Sequence, residues 1–194
     1  MKTISITTKQ GDSGHTSTLS GEIVEKHDIR VEIPGLIDEL LVYLASIKIE
    51  QKNNEEIHSI LTWLQHCLFL ISAQASDPFN TKNIPQIQEK ELHFLDILCT
   101  QYERSTNMPE QFILSANTKT SCQYDFARVQ TRKVERKFSL LSSKFPNHKI
   151  SIETFAFLNR LSDFLFILAR KEEKNNYDIV DYSYIKNFPK KYQN

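Results

Sequence analysis

The sequence predicts an all-α protein, a bundle of five helices preceded by an irregular N-terminal arm. The first observation is where glycine occurs: three of the four glycines lie within the first 21 residues, and the fourth is Gly35. Without glycine, the rest of the chain has few positions for tight turns with positive φ, which favours long helices joined by polar loops. The second observation is that apolar residues beyond Gly35 recur at three- and four-residue spacings, as in amphipathic helices.

The first two helices of the bundle have the most regular pattern. We expect the bundle to begin where the apolar repeat begins, after an arm of residues 1–35. The apolar positions of the first helix are Leu36, Ile37, Leu40, Leu41, Leu44 and Ile47, and those of the second are Ile57, Ile60, Leu61, Leu64, Leu68 and Ile71.

Three further helices complete the predicted bundle, which spans residues 36–172 of a single domain. They are expected from about Gln86 to Tyr102, from Thr120 to Ser142 and from Ile152 to Arg170. Before the fourth helix, Gln111–Leu114 is expected to form a short extended segment. Residues 173–194, rich in tyrosine and lysine, are expected to form a tail or a short extra helix.

The composition limits the kinds of partner. Lys plus Arg and Asp plus Glu both number 24, so there is no net positive field to attract nucleic acid or an anionic membrane, and any anion site must be local. The N-terminus does not resemble a signal peptide, and no apolar run reaches the roughly 18 residues of a membrane span. Cys67, Cys99 and Cys122 are far apart and form no CxxC pair, which argues against a disulfide framework or a zinc site. We therefore expect a soluble, cytoplasmic protein.

The fourth helix carries a charged stripe opposite its apolar face. At 100° per residue the apolar arc consists of Ala127, Val134, Phe138 and Leu141, and the stripe consists of Arg128, Arg132, Glu135 and Arg136. An ordinary solvated face is one interpretation. Arginines four residues apart repel each other, however, and Glu135 offsets only part of that repulsion. The alternative is therefore an anionic ligand held between the guanidinium groups.

The fifth helix is divided in a similar way. Its core side consists of Leu158, Leu161, Leu165 and Leu168, and a second stripe consists of Asn159, Asp163, Phe166 and Arg170. Polar groups aligned in this way can form a binding site, or they can be polar residues satisfied within a bundle.

The arm contains a loop with the components of a phosphate-binding site. It combines flexible residues whose backbone N–H groups can converge with a lysine, hydroxyl groups and a carboxylate for a metal ion. These residues are Thr8, Lys9, Gly11, Asp12, Gly14 and Thr16. The loop is not a P-loop, because no Gly-Lys-Ser/Thr sequence closes it. Taken by itself it could be a surface turn.

Taken together and in order, these stretches resemble the ATP:corrinoid adenosyltransferases of the propanediol-utilisation type. The resemblance covers about residues 3–170. Besides the arm loop, the matching residues are Arg30-Val31-Glu32, Gly35, Asp38-Glu39-Leu40, Phe112-Ile113-Leu114, Ala127-Arg128, Arg132, Glu135-Arg136 and Leu158-Asn159-Arg160-Leu161-Ser162-Asp163. The resemblance implies an all-helical subunit assembled as a homotrimer. It also implies that ATP lies between the arm of one subunit and the arginine helix of its neighbour.

The reaction that the resemblance implies transfers the 5′-deoxyadenosyl group of ATP to the reduced cobalt of a corrinoid. It forms adenosylcobalamin and releases triphosphate. The cobalt is the nucleophile, so the protein must hold C5′ in line, stabilise the leaving triphosphate and keep water and the lower axial ligand away from the cobalt. On this resemblance the phosphates and Mg²⁺ are bound by Thr8, Lys9, Gly11, Asp12, Gly14 and Thr16, and the ATP site is completed by Arg132, Glu135, Arg136 and Asn159. No residue is assigned as a direct metal ligand.

The resemblance also assigns the corrinoid side of the site. Asp38 and Arg128 match the family's ion pair between subunits, and Phe112 matches the apolar group that closes the lower face of the cobalt. Together with Arg132, these are the residues assigned to catalysis.

The sequence departs from the family mostly on that side. The usual Pro-Gly-Gly after Leu114 is Ser115-Ala116-Asn117, a usual histidine is Asp125, and a usual small polar residue is Leu36. Ala116 and Asn117 adopt positive φ less freely than glycine, so we expect a shifted or partly filled corrin pocket.

Two other functions fit these residues. A diverged homologue could bind ATP or a corrinoid as a sensor or carrier without turnover, and a plain helical bundle could bind an acidic partner through its arginine face. An active enzyme would in addition require a reductase to supply the reduced cobalt, and it would pass its product to an adenosylcobalamin-dependent enzyme.

Overall fold

The computed structural model of the protein describes residues 7, 9 and 11–186. These residues form five α-helices and a two-stranded sheet, which confirms the predicted all-α class. The helices are α1 (Ile29–Glu50), α2 (Glu55–Ser76), α3 (Glu89–Arg104), α4 (Lys119–Lys144) and α5 (Ile152–Glu173). None of the helices in the described part of the chain has both the length and the apolar character needed to cross a membrane.

The first helix begins at Ile29 instead of at Leu36, where the apolar repeat predicts the start of the bundle. The carboxylate of Asp28 accepts a hydrogen bond from the Arg30 backbone N–H at 2.8 Å and caps the helix. Pro34 lies inside α1, although proline usually interrupts a helix. The helix is therefore longer than its apolar repeat indicates.

Arg30 also ties the arm to α1. Its guanidinium group pairs with Asp28 at 2.9 Å and with Glu22 at 2.5 Å. The hydrogen bond from Arg30 holds the pKa of the Asp28 carboxyl below its ordinary value. The arm is thereby fixed to the start of the bundle.

The arm is more regular than predicted. Strand β1 (His15–Ser17) pairs antiparallel with β2 (Ile23–Glu25), with His15 opposite Glu25. Gly21, in the connection between them, has a φ of 92°, a value that favours glycine. The hairpin contacts α2 through a 2.9 Å hydrogen bond from the Leu19 N–H to the Ser76 hydroxyl.

Helix α4 lies at the centre of the bundle, in contact with α5 and α1, while α2 packs on α1 and α3 packs on α5. The predicted core arcs of α4 and α5 are both buried. Thr118 caps α4 by accepting from the Ser121 N–H at 3.0 Å, and Ser151 caps α5 by accepting from the Thr154 N–H at 3.3 Å. The charged stripes of α4 and α5 are therefore held in a fixed relation.

The segment before α4 is extended, as predicted, and it pairs with the chain that follows α5. Ile113 forms an isolated antiparallel bridge with Ile179. The Val180 N–H donates to the Phe112 carbonyl and the Leu114 N–H donates to the Asp178 carbonyl, both at 2.8 Å. A 3₁₀ helix, Tyr182–Lys186, follows and accounts for the predicted extra helix.

Candidate functional site

A cleft of about 360 Å³ lies among α3, α4 and α5. Arg128 and Arg132 line it from α4, and Arg160, Asp163 and Phe166 line it from α5. The predicted stripes of the two helices therefore meet at one cavity. Arg128 pairs with Asp125 and Arg160 pairs with Asp96 at 2.7 Å, whereas Arg132 makes no ion pair within residues 11–186 and can face an anionic ligand.

The outer part of the α4 stripe has free cations. Arg132 and Arg136 are exposed, and neither pairs with a carboxylate among residues 11–186. Beside them, the Asn159 amide donates to the Glu135 carboxylate at 3.1 Å and links α5 to α4. Four residues predicted to complete the ATP site thus lie on one surface, with two cations available.

Arg128, in contrast, already has a partner in its own chain. Its Nε atom lies 3.0 Å from Oδ1 of Asp125, and the other carboxylate oxygen of Asp125 lies 2.6 Å from a guanidinium nitrogen of Arg170. Arg170 also pairs with Glu173 at 3.0 Å. Arg170 is only 1% exposed, so of the two interpretations of the α5 stripe, a polar residue satisfied within the bundle is the one that applies to it. It lies inside the bundle, where two carboxylates compensate its charge.

Phe166 separates the two arginines of this cluster. Its ring centre is 5.7 Å from the Arg128 guanidinium carbon and 4.9 Å from that of Arg170. Aromatic contacts of this kind stabilise desolvated guanidinium groups. Phe166 therefore lies on the polar stripe of α5 because its ring, which lines the cleft, contacts both guanidinium groups.

The remaining groups of the cleft are not poised for nucleophilic chemistry. Asp163 pairs loosely with Arg160 at 3.8 Å, and partial shielding from water raises the pKa of its carboxyl. Burial raises the pKa of the Cys99 thiol to about 12, so the thiol is neutral near pH 7. The site is built to bind and position charged groups.

Asp38 and Phe112 lie apart from the ion-pair cluster. Asp38 is exposed on α1 and makes no ion pair within residues 11–186, so one subunit does not bring it together with Arg128. Phe112 is 80% exposed, an unusual state for so large an apolar side chain. Both residues are therefore accessible to a ligand or to another subunit.

The arm loop is also exposed in the single chain. Lys9 and Asp12 are exposed, Thr16 lies in strand β1, and Gly14 has a φ of 85° that favours glycine. Thr8 lies outside the described residues. No hydrogen bond or ion pair joins residues 11–25 to Arg132, Glu135, Arg136 or Asn159 within one subunit.

The backbone after Phe112 adopts a left-handed conformation at Ala116, whose φ is 72° although the residue is not glycine. The expected shift of the corrin pocket stays a prediction. The Asn117 N–H donates to the Glu173 carboxylate at 3.1 Å, and the Asn117 amide donates to the Asn176 carbonyl at 2.8 Å. The substituted segment is thus anchored to the end of α5.

Glu173 is not among the predicted site residues, and Asp125 is noted only as a departure from a family pattern. Both acids stand three residues from an arginine on the same helix, Asp125 before Arg128 and Glu173 after Arg170. This spacing predicts ion pairs along a helix. It does not predict the bond between Asp125 and Arg170, which depends on how α4 packs against α5.

Comparisons with known proteins give a consistent result. The model of the cobalamin adenosyltransferase family matches residues 6–172. A corrinoid adenosyltransferase of Citrobacter freundii is 32% identical over 170 residues, covering 87% of this chain and 94% of the relative. A corrinoid adenosyltransferase of Bacillus subtilis is 30% identical over 166 residues, covering 84% of this chain and 83% of the relative.

Solved structures agree. A variant PduO-type ATP:corrinoid adenosyltransferase of Lactobacillus reuteri, complexed with cobalamin and ATP, matches with a TM-score of 0.80 at 25% sequence identity. The match covers 92% of this chain and 97% of that one. A second variant from the same organism, complexed with ATP, matches with a TM-score of 0.78 at 25% identity and covers 91% and 100% of the two chains.

Proposed function

The chain belongs to the cobalamin adenosyltransferase family, and we propose how its residues perform the reaction of an ATP:corrinoid adenosyltransferase. The enzyme transfers the 5′-deoxyadenosyl group of ATP to the reduced cobalt of a corrinoid, forms adenosylcobalamin and releases triphosphate. One observation carries the proposal: Arg132 and Arg136, which make no ion pair within residues 11–186, stand beside the Glu135–Asn159 hydrogen bond in the part of the chain that matches the family.

The chemistry requires positioning and charge stabilisation from the protein. The reduced cobalt of the substrate supplies the electron pair for the new bond to C5′, while the C5′–O bond breaks and its electrons go to the triphosphate. A catalytic base is not needed for this step. Preorganised positive charge beside the leaving group, and alignment of C5′ with the cobalt, are the contributions that lower the barrier.

Arg132 and Arg136 are the residues we assign to the triphosphate. They stand one helical turn apart, they are exposed, and their N–H groups are free for phosphate oxygens. Glu135 and Asn159 fix each other through their 3.1 Å hydrogen bond, which leaves their remaining polar atoms for the nucleoside. A bound phosphate would lie between the two positive charges, so their repulsion would be replaced by attraction to ATP.

The arm of a neighbouring subunit completes the phosphate site in this proposal. Its loop would contribute Lys9 and the backbone of Gly11 and Gly14, together with Thr8, Asp12 and Thr16. Among the residues described, no group of three or more His, Cys, Asp or Glu side chains could hold a metal ion by itself. Mg²⁺ is commonly held by substrate phosphates, water and one or two carboxylates, and Asp12 would be the nearby carboxylate. The ion would neutralise phosphate charge.

A homotrimer accounts for the separation of Asp38 from Arg128. Apolar side chains are exposed on both helices: Val42, one turn after Asp38 on α1, is 68% exposed, and Phe126 on α4 is 52% exposed. Tyr43 stacks on Phe126 at 5.6 Å and makes the apolar surface continuous across the two helices. Such a surface is typical of a contact between subunits. Asp38 of one subunit would then reach Arg128 of the next.

Phe112 is the residue we assign to the lower face of the cobalt. Its side chain is exposed, while its carbonyl is held by the Val180 N–H at 2.8 Å. An apolar ring held in this way can exclude water and the lower ligand without moving.

The cellular setting follows from the chemistry. Reduced cobalt needs a reductase and a reducing compartment, and the three cysteines are free thiols, which fits the cytoplasm. The product would pass to an adenosylcobalamin-dependent enzyme.

Turnover can be tested directly. Purified protein incubated under anaerobic conditions with MgATP and chemically reduced cobalamin should form adenosylcobalamin, identified by its light-sensitive absorption spectrum, with one triphosphate released per product. Folded protein that binds ATP and forms no product would contradict the enzyme and favour a binding role. Light scattering that reports a monomer at micromolar concentration would contradict the intersubunit site.

A further inference from the structure

Asp125 is the central group of a buried chain of ion pairs. One of its oxygens lies 3.0 Å from Nε of Arg128, and the other lies 2.6 Å from a guanidinium nitrogen of Arg170. Asp125 is 5% exposed and Arg170 is 1% exposed. A buried carboxylate that holds two arginines on two helices fixes both side chains.

The chain of contacts continues to the segment that carries Phe112. Arg170 pairs with Glu173, which is 2% exposed, and Glu173 accepts the Asn117 N–H at 3.1 Å. The guanidinium group at the cleft and the backbone after Phe112 are therefore joined through three intermediate side chains. The cluster contains two cations and two anions, so its charge is balanced inside the bundle.

The carboxylate at position 125 determines how many donors this side chain can accept from. A neutral imidazole has one acceptor nitrogen, whereas a carboxylate accepts from two donors at once. The Asp125 that replaces the usual histidine can therefore hold Arg128 and Arg170 together. Within residues 11–186, the two terminal nitrogens of Arg128 have no hydrogen-bond partner and remain available at the cleft.

We infer that Asp125 is a positioning residue for corrinoid use: it fixes the direction of Arg128 and couples it, through Arg170 and Glu173, to the segment of Phe112. This inference rests on the proposed function, which assigns Arg128 and Phe112 to the corrinoid side of the site. The proposed function assigns ATP to Arg132 and Arg136, and neither forms an ion pair with Asp125.

Asp125→Asn tests the inference, because it replaces one of the two acceptor oxygens with an NH₂ group, which would face the donor of one of the two arginines. The variant should lower kcat/KM for reduced cobalamin about tenfold or more, with the KM for ATP within about twofold of the wild-type value. A general loss of structure would affect both substrates. Asp77→Asn is the matched control, since Asp77 is 2% exposed and accepts from Thr81 and Lys82 in its own turn.

A second variant keeps the test decisive if Asp125→Asn folds poorly. Asp125→Asn combined with Arg170→Gln and Glu173→Gln removes every buried ion of the cluster, and the one charge left, that of Arg128, lines the cleft. This triple variant should recover stability and still use cobalamin poorly, because Arg128 is no longer held. A triple variant with wild-type kcat/KM for cobalamin would overturn the inference.

Amide hydrogen exchange supplies a readout that needs no enzyme activity. The peptide covering residues 112–118 should exchange several-fold faster in Asp125→Asn than in the wild type, and Asp77→Asn should leave it unchanged. Unchanged exchange in folded Asp125→Asn overturns the coupling, whatever the enzyme assay gives. If the wild-type protein forms no adenosylcobalamin and Asp125→Asn nevertheless speeds exchange in this peptide, the proposed function is contradicted and the coupling stands.

Discussion

The inner and outer parts of the α4 stripe contain the same residue type at the same spacing, in opposite environments. Arg128 is half-buried and joined to Asp125 at 3.0 Å, whereas Arg132, one turn later, is exposed and makes no ion pair with any carboxylate among residues 11–186. Helical spacing decides which face a residue occupies. The partners supplied by α5 decide whether the arginine is fixed within the protein or available to a ligand.

The charge balance of the two parts differs in the same way. The inner part pairs Arg128 and Arg170 with Asp125 and Glu173, so its charges cancel. The outer part has Arg132 and Arg136 against the single acid Glu135, so it keeps a positive charge. We therefore expect an anionic ligand at the outer part and a role in positioning side chains for the inner part.

The largest expected effect comes from breaking the inner part. Arg170→Met keeps the side-chain bulk and strands the Glu173 carboxylate in the bundle, which should reduce the free energy of unfolding by about 3–5 kcal/mol. Chemical denaturation measures this. Lys137→Met is the control, because Lys137 forms a half-exposed pair with Glu32 at 2.7 Å, and its removal should cost about 1 kcal/mol or less. Equal destabilisation of the two variants would contradict the difference between buried and exposed pairs.

Much of the fold could be predicted from the sequence, because glycine scarcity and apolar spacing are local signals. The start of α1 could not be predicted, since Pro34 and Gly35 indicate a break in a helix. The helix nevertheless begins before them, at Ile29, where the Asp28 cap and the Arg30 pairs fix its first turn. The hairpin was missed because its strands have only three residues each.

The candidate site likewise has features that the sequence predicts and features that it does not. The stripe on α4 follows from spacing, and its outer part is exposed as a solvent-facing stripe should be. The burial of Arg170 could not be predicted, because it depends on Asp125 of another helix coming within 2.6 Å. The relation of Asp38 to Arg128 depends on a second subunit, so one chain cannot contain it. It stays a prediction.

The outer part can be tested through ATP binding. Arg132→Ala should raise the Kd for MgATP about 30-fold or more, because removing a cation that binds phosphate in a desolvated site costs about 2–5 kcal/mol. Isothermal titration calorimetry measures the Kd. Lys133→Ala removes an exposed cation from the adjacent position of α4 and should change the Kd by about twofold or less. If both variants bind ATP like the wild type, the outer stripe is an ordinary solvated face.

The smallest expected effect concerns Ala116, the residue before Asn117, whose N–H donates to Glu173 of the inner part. Its φ of 72° costs an alanine about 1–2 kcal/mol that glycine does not incur. Glycine also raises the entropy of the unfolded chain, which costs about 0.4–1 kcal/mol. Ala116→Gly should therefore stabilise the protein by about 0.5–1 kcal/mol and raise the Tm by about 1–4 °C, measured by thermal denaturation.

Ala45→Gly is the matched control for Ala116→Gly, because Ala45 lies inside α1, where glycine costs about 1 kcal/mol. The two alanine-to-glycine changes should thus shift the Tm in opposite directions. Because the left-handed conformation is already present, Ala116→Gly should leave kcat/KM for cobalamin within about twofold of the wild-type value. A lower Tm would show that Ala116 is not strained. An unchanged Tm with a large gain in kcat/KM would instead mean that the alanine displaces the corrinoid, as the sequence alone suggests.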